Sequence, residues 1–428
     1  MKFSWAPALA LLAGVATLVS AADNTTVASN STIPSNTTVP SNTTSVGNTT
    51  STGNITSTGN ITSAGNATSA GGVAAMDGGN STATPIYNMT GNGNSSAIAP
   101  KVVIVTLFEL ERDVWVNSLQ FTQNISLPGA SPLFPYVTCD QNADVCLITT
   151  GEGEINAAAT FTSFLFSSQF DLRKTYFIVN GIAGVNPHAG TVGSVSMTRF
   201  AIQVGLQYGL DGREVPQGWN YSFWNYGTET PGHYPGFFYG TEIFEVNTNL
   251  RDKVYDLVQN VTLSDNDVAK ANRANFTYAP ANQPPTVFKG DVTTSDLYFT
   301  GALFGDLASN LTLVLTNGTG SYAMTAQEDN AVLEVLVRAH KAGFADYGRA
   351  ILYRSGSDFD RAPDLANDYM NIEFNNNSTD LVDPSVANLF TVGNPIVQAI
   401  VANWTQEWEQ GVAPQNSTSY GDVFGTLL

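Results

Sequence analysis

The chain has 428 residues, 43% of them apolar, enough for one large α/β domain or two smaller ones. Its 36 acidic residues outnumber 17 Lys and Arg, leaving a formal net charge of −19. That balance excludes a nucleic-acid backbone as partner, because binding phosphates requires a basic surface.

Residues 1–21 read as a secretory leader: Lys2, an apolar core from Ala8 to Val19, then small residues through Ser20 and Ala21. The apolar run is short for a retained membrane anchor. Residues 22–99 are almost entirely Asn, Thr, Ser, Gly, Ala and Val. Glycan acceptors (Asn-x-Ser/Thr) recur every six residues from Asn24 to Asn66 and again at Asn80, Asn88 and Asn94. Such a composition cannot bury a core and predicts a disordered stalk, which a leader would deliver for glycosylation. Further acceptors, at Asn124, Asn220, Asn260, Asn275, Asn310, Asn317, Asn403 and Asn416, extend into the globular part over 100–428. The protein is therefore expected outside the cell, secreted or associated with the cell wall. There the only two cysteines, Cys139 and Cys146, are expected to pair, since the rival metal site lacks a nearby His. After the leader no apolar run reaches the ~20 residues of a spanning helix. Tyr420–Leu428 lacks the tail of a lipid-anchor signal. No transmembrane span is expected.

The globular part alternates buried strands with helical patterns, which predicts an α/β fold with a mixed central sheet. Lys101 opens the apolar run Val102–Phe108, suited to a strand covered on both faces, and the acidic cluster Glu109 to Asp113 follows it. Ligands gather at the carboxyl ends of such strands, so Glu111 is a site candidate; a solvated charged loop is the alternative. Val145–Thr149 reads as a second strand, followed by Thr150-Gly151-Glu152-Gly153, a turn whose backbone can approach a ligand closely. Thr175–Val179 reads as a third strand, leading into Asn180-Gly181. Residues 190–205 suit a long strand or hairpin, and the aromatic-rich 219–239 a lid or packing surface. Helical patterning returns over 249–261 and 385–411, where Trp404 and Trp408 are expected to pack on the sheet.

The stretch Thr325–Arg361 carries the sharpest signal. Val332, Leu333, Val335, Leu336 and Ala339 recur at helical spacing, with Gly343 as a stop. Ala350–Tyr353 then reads as a short buried strand ending in a Ser-Gly-Ser-Asp turn. Glu328 would stand at the helix start and Asp358 just past the strand end, both facing one crevice. Each also has a structural reading: Thr325 and Glu328 form a capping box, and Asp358 suits an ordinary turn.

Gln327-Glu328-Asp329-Asn330-Ala331 followed by Arg354-Ser355-Gly356-Ser357-Asp358 is similar to the paired signature of the nucleoside phosphorylase/nucleosidase superfamily. More narrowly, residues 100–428 resemble the purine nucleoside permease family, a mostly fungal branch. The resemblance implies a nucleoside phosphorylase/nucleosidase-like sheet flanked by helices. It puts Glu111 where the nucleosidase branch has the carboxylate that handles the attacking water. Thr150 and Gly151 fall in its ribose or anion subsite, and Asn180 and Gly181 in its base-binding wall. Asp291 ends a similar strand, but Thr293, Thr294 and Ser295 stand where a base-stacking aromatic is usual, leaving Tyr298 or Phe299 for that task.

The implied chemistry assigns Glu328, with Gln327, to the ribose hydroxyls, and Asp358 to protonating purine N7, its pKa raised by burial or a neighbouring anion. Glu111 would orient water. Arg354 and Arg361 are the cations nearest the site, each with adjacent acids as rival partners, so hydrolysis is expected over phosphorolysis. No cofactor is expected, phosphate entering only as a phosphorylase's co-substrate. His188, His233 and His340 share no ligand spacing, so no metal site is expected either. The expected function is a secreted purine-nucleoside-binding protein that cleaves the N-glycosidic bond. The alternative is a nucleoside-binding component of transmembrane transport without cleavage. Nucleosidase relatives often complete their pocket from a neighbouring subunit, so the resemblance also accommodates a homo-oligomer.

Overall fold

The computed structural model describes residues 97–363, 367–377 and 379–428. The expected leader and nearly all of the expected stalk lie outside them. The chain divides between Asn80 and Ser81 into two units, and all described residues belong to the second.

In chain order the strands begin with β1 (Val102–Thr106), β2 (Phe121–Ser126), β3 (Tyr136–Asp140), β4 (Val145–Thr149) and β5 (Tyr176–Val185). Five short ones follow: β6 (Val195–Met197), β7 (Phe200–Gln203), β8 (Gln207–Gly209), β9 (Phe223–Asn225) and β10 (Ile243–Glu245). The last are β11 (Val287–Lys289), β12 (Asp291–Thr294), β13 (Tyr322–Ala326), β14 (Ala350–Phe359) and β15 (Gly421–Asp422). The helices are α1 (Glu109–Val116), α2 (Glu154–Leu165), α3 (Thr248–Val258), α4 (Asp267–Arg273) and α5 (Ala302–Leu315). They continue with α6 (Asp329–Lys341), α7 (Asp368–Asn377) and α8 (Thr379–Ala402).

Thirteen of these strands form one mixed sheet flanked by helices, in the order β15-β10-β7-β12-β13-β5-β1-β4-β3-β2, with β14, β6 and β11 branching from β5. Its centre is parallel: β1 pairs with β4 and β5, and β14 pairs with β5 along its whole length. Alternate side chains of these strands enter two separate cores, as a doubly covered strand requires. Val103 and Val105 pack with α2 and α6, whereas Val102 and Ile104 pack with α8. Cys139 and Cys146 stand opposite one another on β3 and β4 and are disulfide-bonded.

Several elements differ from the sequence expectation, each for a tertiary reason. β14 is not four residues long but ten, running through the Ser-Gly-Ser-Asp segment expected to turn, because an equally long β5 offers it backbone partners throughout. Glu109–Val116 is a helix rather than a charged loop. Its Trp115 is buried against Phe390 of α8, and the indole donates to the Asn180 side chain. Residues 190–205 form the two short strands β6 and β7. The aromatic-rich segment packs largely on itself, as in the stacked Tyr226 and Phe237. Thr325 lies in β13 and Glu328 makes no capping hydrogen bond to α6, so the capping box does not form.

Asp380–Ala402 is long and apolar enough to cross a membrane, contrary to the expected absence of such a run. In this fold its Leu389, Val392, Ile396 and Ile400 are buried in the core, each burial stabilising by about 1.5–3 kcal/mol. Beyond it, Trp408 packs edge-on against Tyr176 of β5, as expected for the tryptophan pair. A Cβ added at Gly393 would come within 2.5 Å of the Trp115 ring and overlap the Tyr353 hydroxyl. Gly393→Ala should therefore cost about 1–3 kcal/mol through overpacking, read as a lower denaturant midpoint; an unchanged midpoint would contradict this packing.

Candidate functional site

The site follows from a break in the sheet. β1 pairs with β5 only as far as Val179, and β13 joins β5 at Gly184. β14 occupies the other edge of β5 over the whole interval, so β13 must lie on the β1 edge. Residues 180–183 are left there without a strand neighbour. A cavity of about 230 Å³ opens at this gap, lined from β5 by Ile182, Ala183 and Gly184, and it also takes in Glu111, Gln327, Glu328 and Asp358.

Glu111 stands in the first turn of α1, held by the backbone N–H groups of Leu107 at 2.7 Å and Ile182 at 2.8 Å. Burial pushes its carboxyl up to about 8; Arg354 opposes that rise and the Glu328 charge adds to it. Glu328, at the N-cap of α6, accepts from the Gly153 N–H at 3.0 Å and from Arg354 Nη2 at 3.1 Å. Burial raises its pKa as well, with Arg354 and the Gly153 N–H pulling the other way. Arg354 is buried too, which works against its charge. Asp329 and Glu328 more than offset that, Asp329 accepting from both Nε and Nη2, the latter at 2.7 Å. Gly181 allows this crowding: a Cβ there would lie 2.5 Å from both Arg354 Nη1 and Glu111 Oε1.

Asp358 arrives by a different device. In a regular strand Ser357 and Asp358 would face opposite sides of the sheet. The register of β14 against β5 shifts between Gly356 and Asp358, and this bulge brings both side chains to the cavity. The carboxylate accepts from the Ser357 hydroxyl at 2.9 Å and the Tyr298 hydroxyl at 3.0 Å. Burial raises it to about 6, those two hydroxyls holding it from rising further.

Of the residues expected from sequence, Glu111, Gln327, Glu328, Arg354, Asp358, Tyr298 and Phe299 line this cavity, whereas Thr150, Gly151, Asn180, Gly181, Asp291 and Arg361 do not. Thr150 is buried, and its hydroxyl donates to the Gly151 carbonyl. Gly151 supplies a left-handed turn, φ +89°, beside Asn156, and the backbone reaching the site belongs to Gly153. The Asn180 side chain is taken up by Trp115 and the Val105 and Ile178 carbonyls. Gly181 lies just behind the lining. Asp291 accepts from the backbone of Arg199, Phe200 and Ser321. Tyr298 and Phe299 both line the cavity, Phe299 buried against Phe304. Arg361 pairs with Asp360 and Asp306.

Sequence reasoning missed Asp329, Ser357 and the α8 residues Leu381 and Val382. The first two were adjacent to named acids; the last two carried no local signal, because only tertiary packing brings α8 over the cavity. Among the described residues no group of three or more His, Cys, Asp or Glu could hold a metal ion. The arrangement offers a carboxylate acceptor beside a carboxyl that exchanges its proton near neutrality, with a third carboxyl close by.

A family model described as purine nucleoside permease matches residues 99–413. A purine nucleoside permease of Candida albicans strain SC5314 is 42% identical over 346 residues, covering 80% of this chain and 85% of that protein. A second from Candida albicans is 42% identical over 332 residues, covering 77% and 81%. Among solved structures, the 5′-methylthioadenosine/S-adenosylhomocysteine nucleosidase of Neisseria meningitidis with methylthio-immucillin-A aligns at 14% identity and a TM-score of 0.43. That alignment covers 71% of this chain and 99% of the nucleosidase.

Two measurements check the electrostatics. Arg354→Gln leaves buried carboxylates without their cation and should cost about 3–5 kcal/mol in chemical denaturation; a loss below about 1 kcal/mol would show the pairs to be dispensable. Glu111 unfolds to an ordinary carboxyl near 4.5 but sits at about 8 in the fold. Between those values the folded protein holds the extra proton, so stability falls as pH rises. The melting temperature of Glu111→Gln should gain steadily on the wild type from about pH 5 to about pH 8. A constant difference across that range would contradict the shift.

Proposed function

Because this chain belongs to the purine nucleoside permease family, we propose that its cavity binds purine nucleosides and that the chain serves as a nucleoside-binding component of transmembrane transport. The observation that carries this reading is that Glu328 and Asp358, from different elements, face one small cavity in different company: Glu328 accepts from the Arg354 guanidinium, Asp358 from two neutral hydroxyls. A ribose presents neighbouring hydroxyls that donate, which suits a carboxylate beside Arg354. A purine presents a ring nitrogen that accepts, which suits a carboxyl able to hold a proton.

A second reading, cleavage, is favoured by Glu111 facing the same cavity as Glu328 and Asp358. Asp358 would give its proton to the base as the N-glycosidic bond breaks, while water loses a proton to Glu111 and bonds to the sugar carbon. That step needs Glu111 ionised and Asp358 protonated together. Burial pushes Glu111 up to about 8 and Asp358 only to about 6, so the empty site favours the reverse arrangement, with the proton on Glu111.

An extracellular setting accompanies this proposal. Of the acceptors Asn124, Asn220, Asn260, Asn275, Asn310, Asn317, Asn403 and Asn416, seven are exposed and Asn310 is half-buried, so the surface is open to sugar. Equilibrium titration with adenosine, inosine, guanosine and uridine, followed by chromatography of the ligand, tests the reading. Saturable binding of the purine nucleosides, recovered intact, is the expected result. Release of free base would replace transport by cleavage, and absence of binding would remove both. A hydrogen bond to a charged group contributes about 1.5–3 kcal/mol, so Glu328→Gln should weaken binding by about 10–100-fold. Asp358→Asn, whose amide still donates, should stay within a few-fold, yet it would abolish any turnover.

A further inference from the structure

The glycine-rich turn leading into α2 is the kind of backbone that cradles a phosphate, since helix N-terminal N–H groups point outward together. Here those groups already have anionic partners from elsewhere in the chain. The Gly153 N–H donates to Glu328 at 3.0 Å, and the Glu154 N–H donates to Asp296 at 2.8 Å. Protein carboxylates thus stand where phosphate oxygens would sit.

The guanidinium at the cavity is engaged in the same way. Arg354 is the one Lys, Arg or His side chain in the described lining, and it is 1% exposed. Its Nε and Nη2 serve Asp329, Nη2 also serves Glu328, and Nη1 serves the Ile182 carbonyl. Facing the same space are Glu111, Glu152, Glu328 and Asp358, and Asp296 is exposed at the turn into α2. An incoming phosphate would meet carboxyl groups and find the guanidinium and the Gly153 and Glu154 N–H groups already engaged.

We propose that the cavity excludes anionic ligands: it admits uncharged nucleosides, rejects their phosphate esters and has no seat for inorganic phosphate. Asp296 is a specificity determinant in this account, because it occupies the helix N-terminus that a phosphate would use. The inference deepens the nucleoside-binding reading and rests on it for the identity of the uncharged ligand.

The test titrates the full chain with inosine and with inosine 5′-monophosphate, and separately measures melting temperature against inorganic phosphate. The monophosphate should bind at least about 100-fold more weakly than the nucleoside, and phosphate should give no saturable stabilisation. Asp296→Ala frees the Glu154 N–H and should narrow the nucleotide gap about fivefold or more. The exposed Glu152→Gln should act in the same direction and serves if the first variant does not fold. Equal affinity for nucleoside and monophosphate, or saturable protection of the wild type by phosphate, would overturn the exclusion. If inosine itself fails to bind, the nucleoside reading falls, and the phosphate arm alone still decides whether the cavity rejects anions.

Discussion

The site depends on one buried guanidinium. Arg354 lies within the longest-paired strand of the sheet and holds Glu328 and Asp329, all three removed from water. Isolated charges in that environment would be intolerable, and mutual pairing makes the arrangement stable only while geometry and hydrogen bonds are complete. The network therefore fixes the start of α6 against β14, and with it the carboxylate that α6 presents. Arg354 also lowers what burial would otherwise do to Glu111, so one cation tunes two acids from different elements.

The sheet explains why the acids meet although they are far apart in sequence. β1 stops at Thr106, β13 begins its pairing at Gly184, and the intervening edge of β5 is open. Glu111 closes this gap from below by accepting the Ile182 N–H that a neighbouring strand would have used. A bulge in β14 then supplies Asp358 from the opposite edge. The Ile182 N–H and carbonyl released by the break are taken up by Glu111 and Arg354, two side chains that line the cavity.

The central strands were legible in the sequence because they are covered on both faces and so read as continuous apolar runs: Val102–Thr106 and Val145–Thr149 are examples. Strand ends were not. Asn180–Val185 and Arg354–Phe359 carry glycine, serine and asparagine, which locally favour turns, and only their mutual pairing extends them as strands. Among the site residues, acids at segment boundaries could be found by position and by likeness to a known signature. Asn180 was found by likeness to the same superfamily and Asp291 by a partial likeness, yet both are engaged with backbone or Trp115 away from the cavity, a distinction that depends on side-chain surroundings. Leu381 and Val382 could not be found locally at all, since nothing in α8 marks the face that covers the site.

The central claim is that Glu328 and Asp358 together recognise the two halves of a purine nucleoside. A crystal structure of the protein with a carbon-linked purine nucleoside analogue, which cannot be cleaved, tests it most directly. The account predicts sugar hydroxyls within hydrogen-bond distance of Glu328 and a base nitrogen facing Asp358. A ligand seated elsewhere, or one lying in this cavity with both carboxylates turned to protein partners alone, would contradict it.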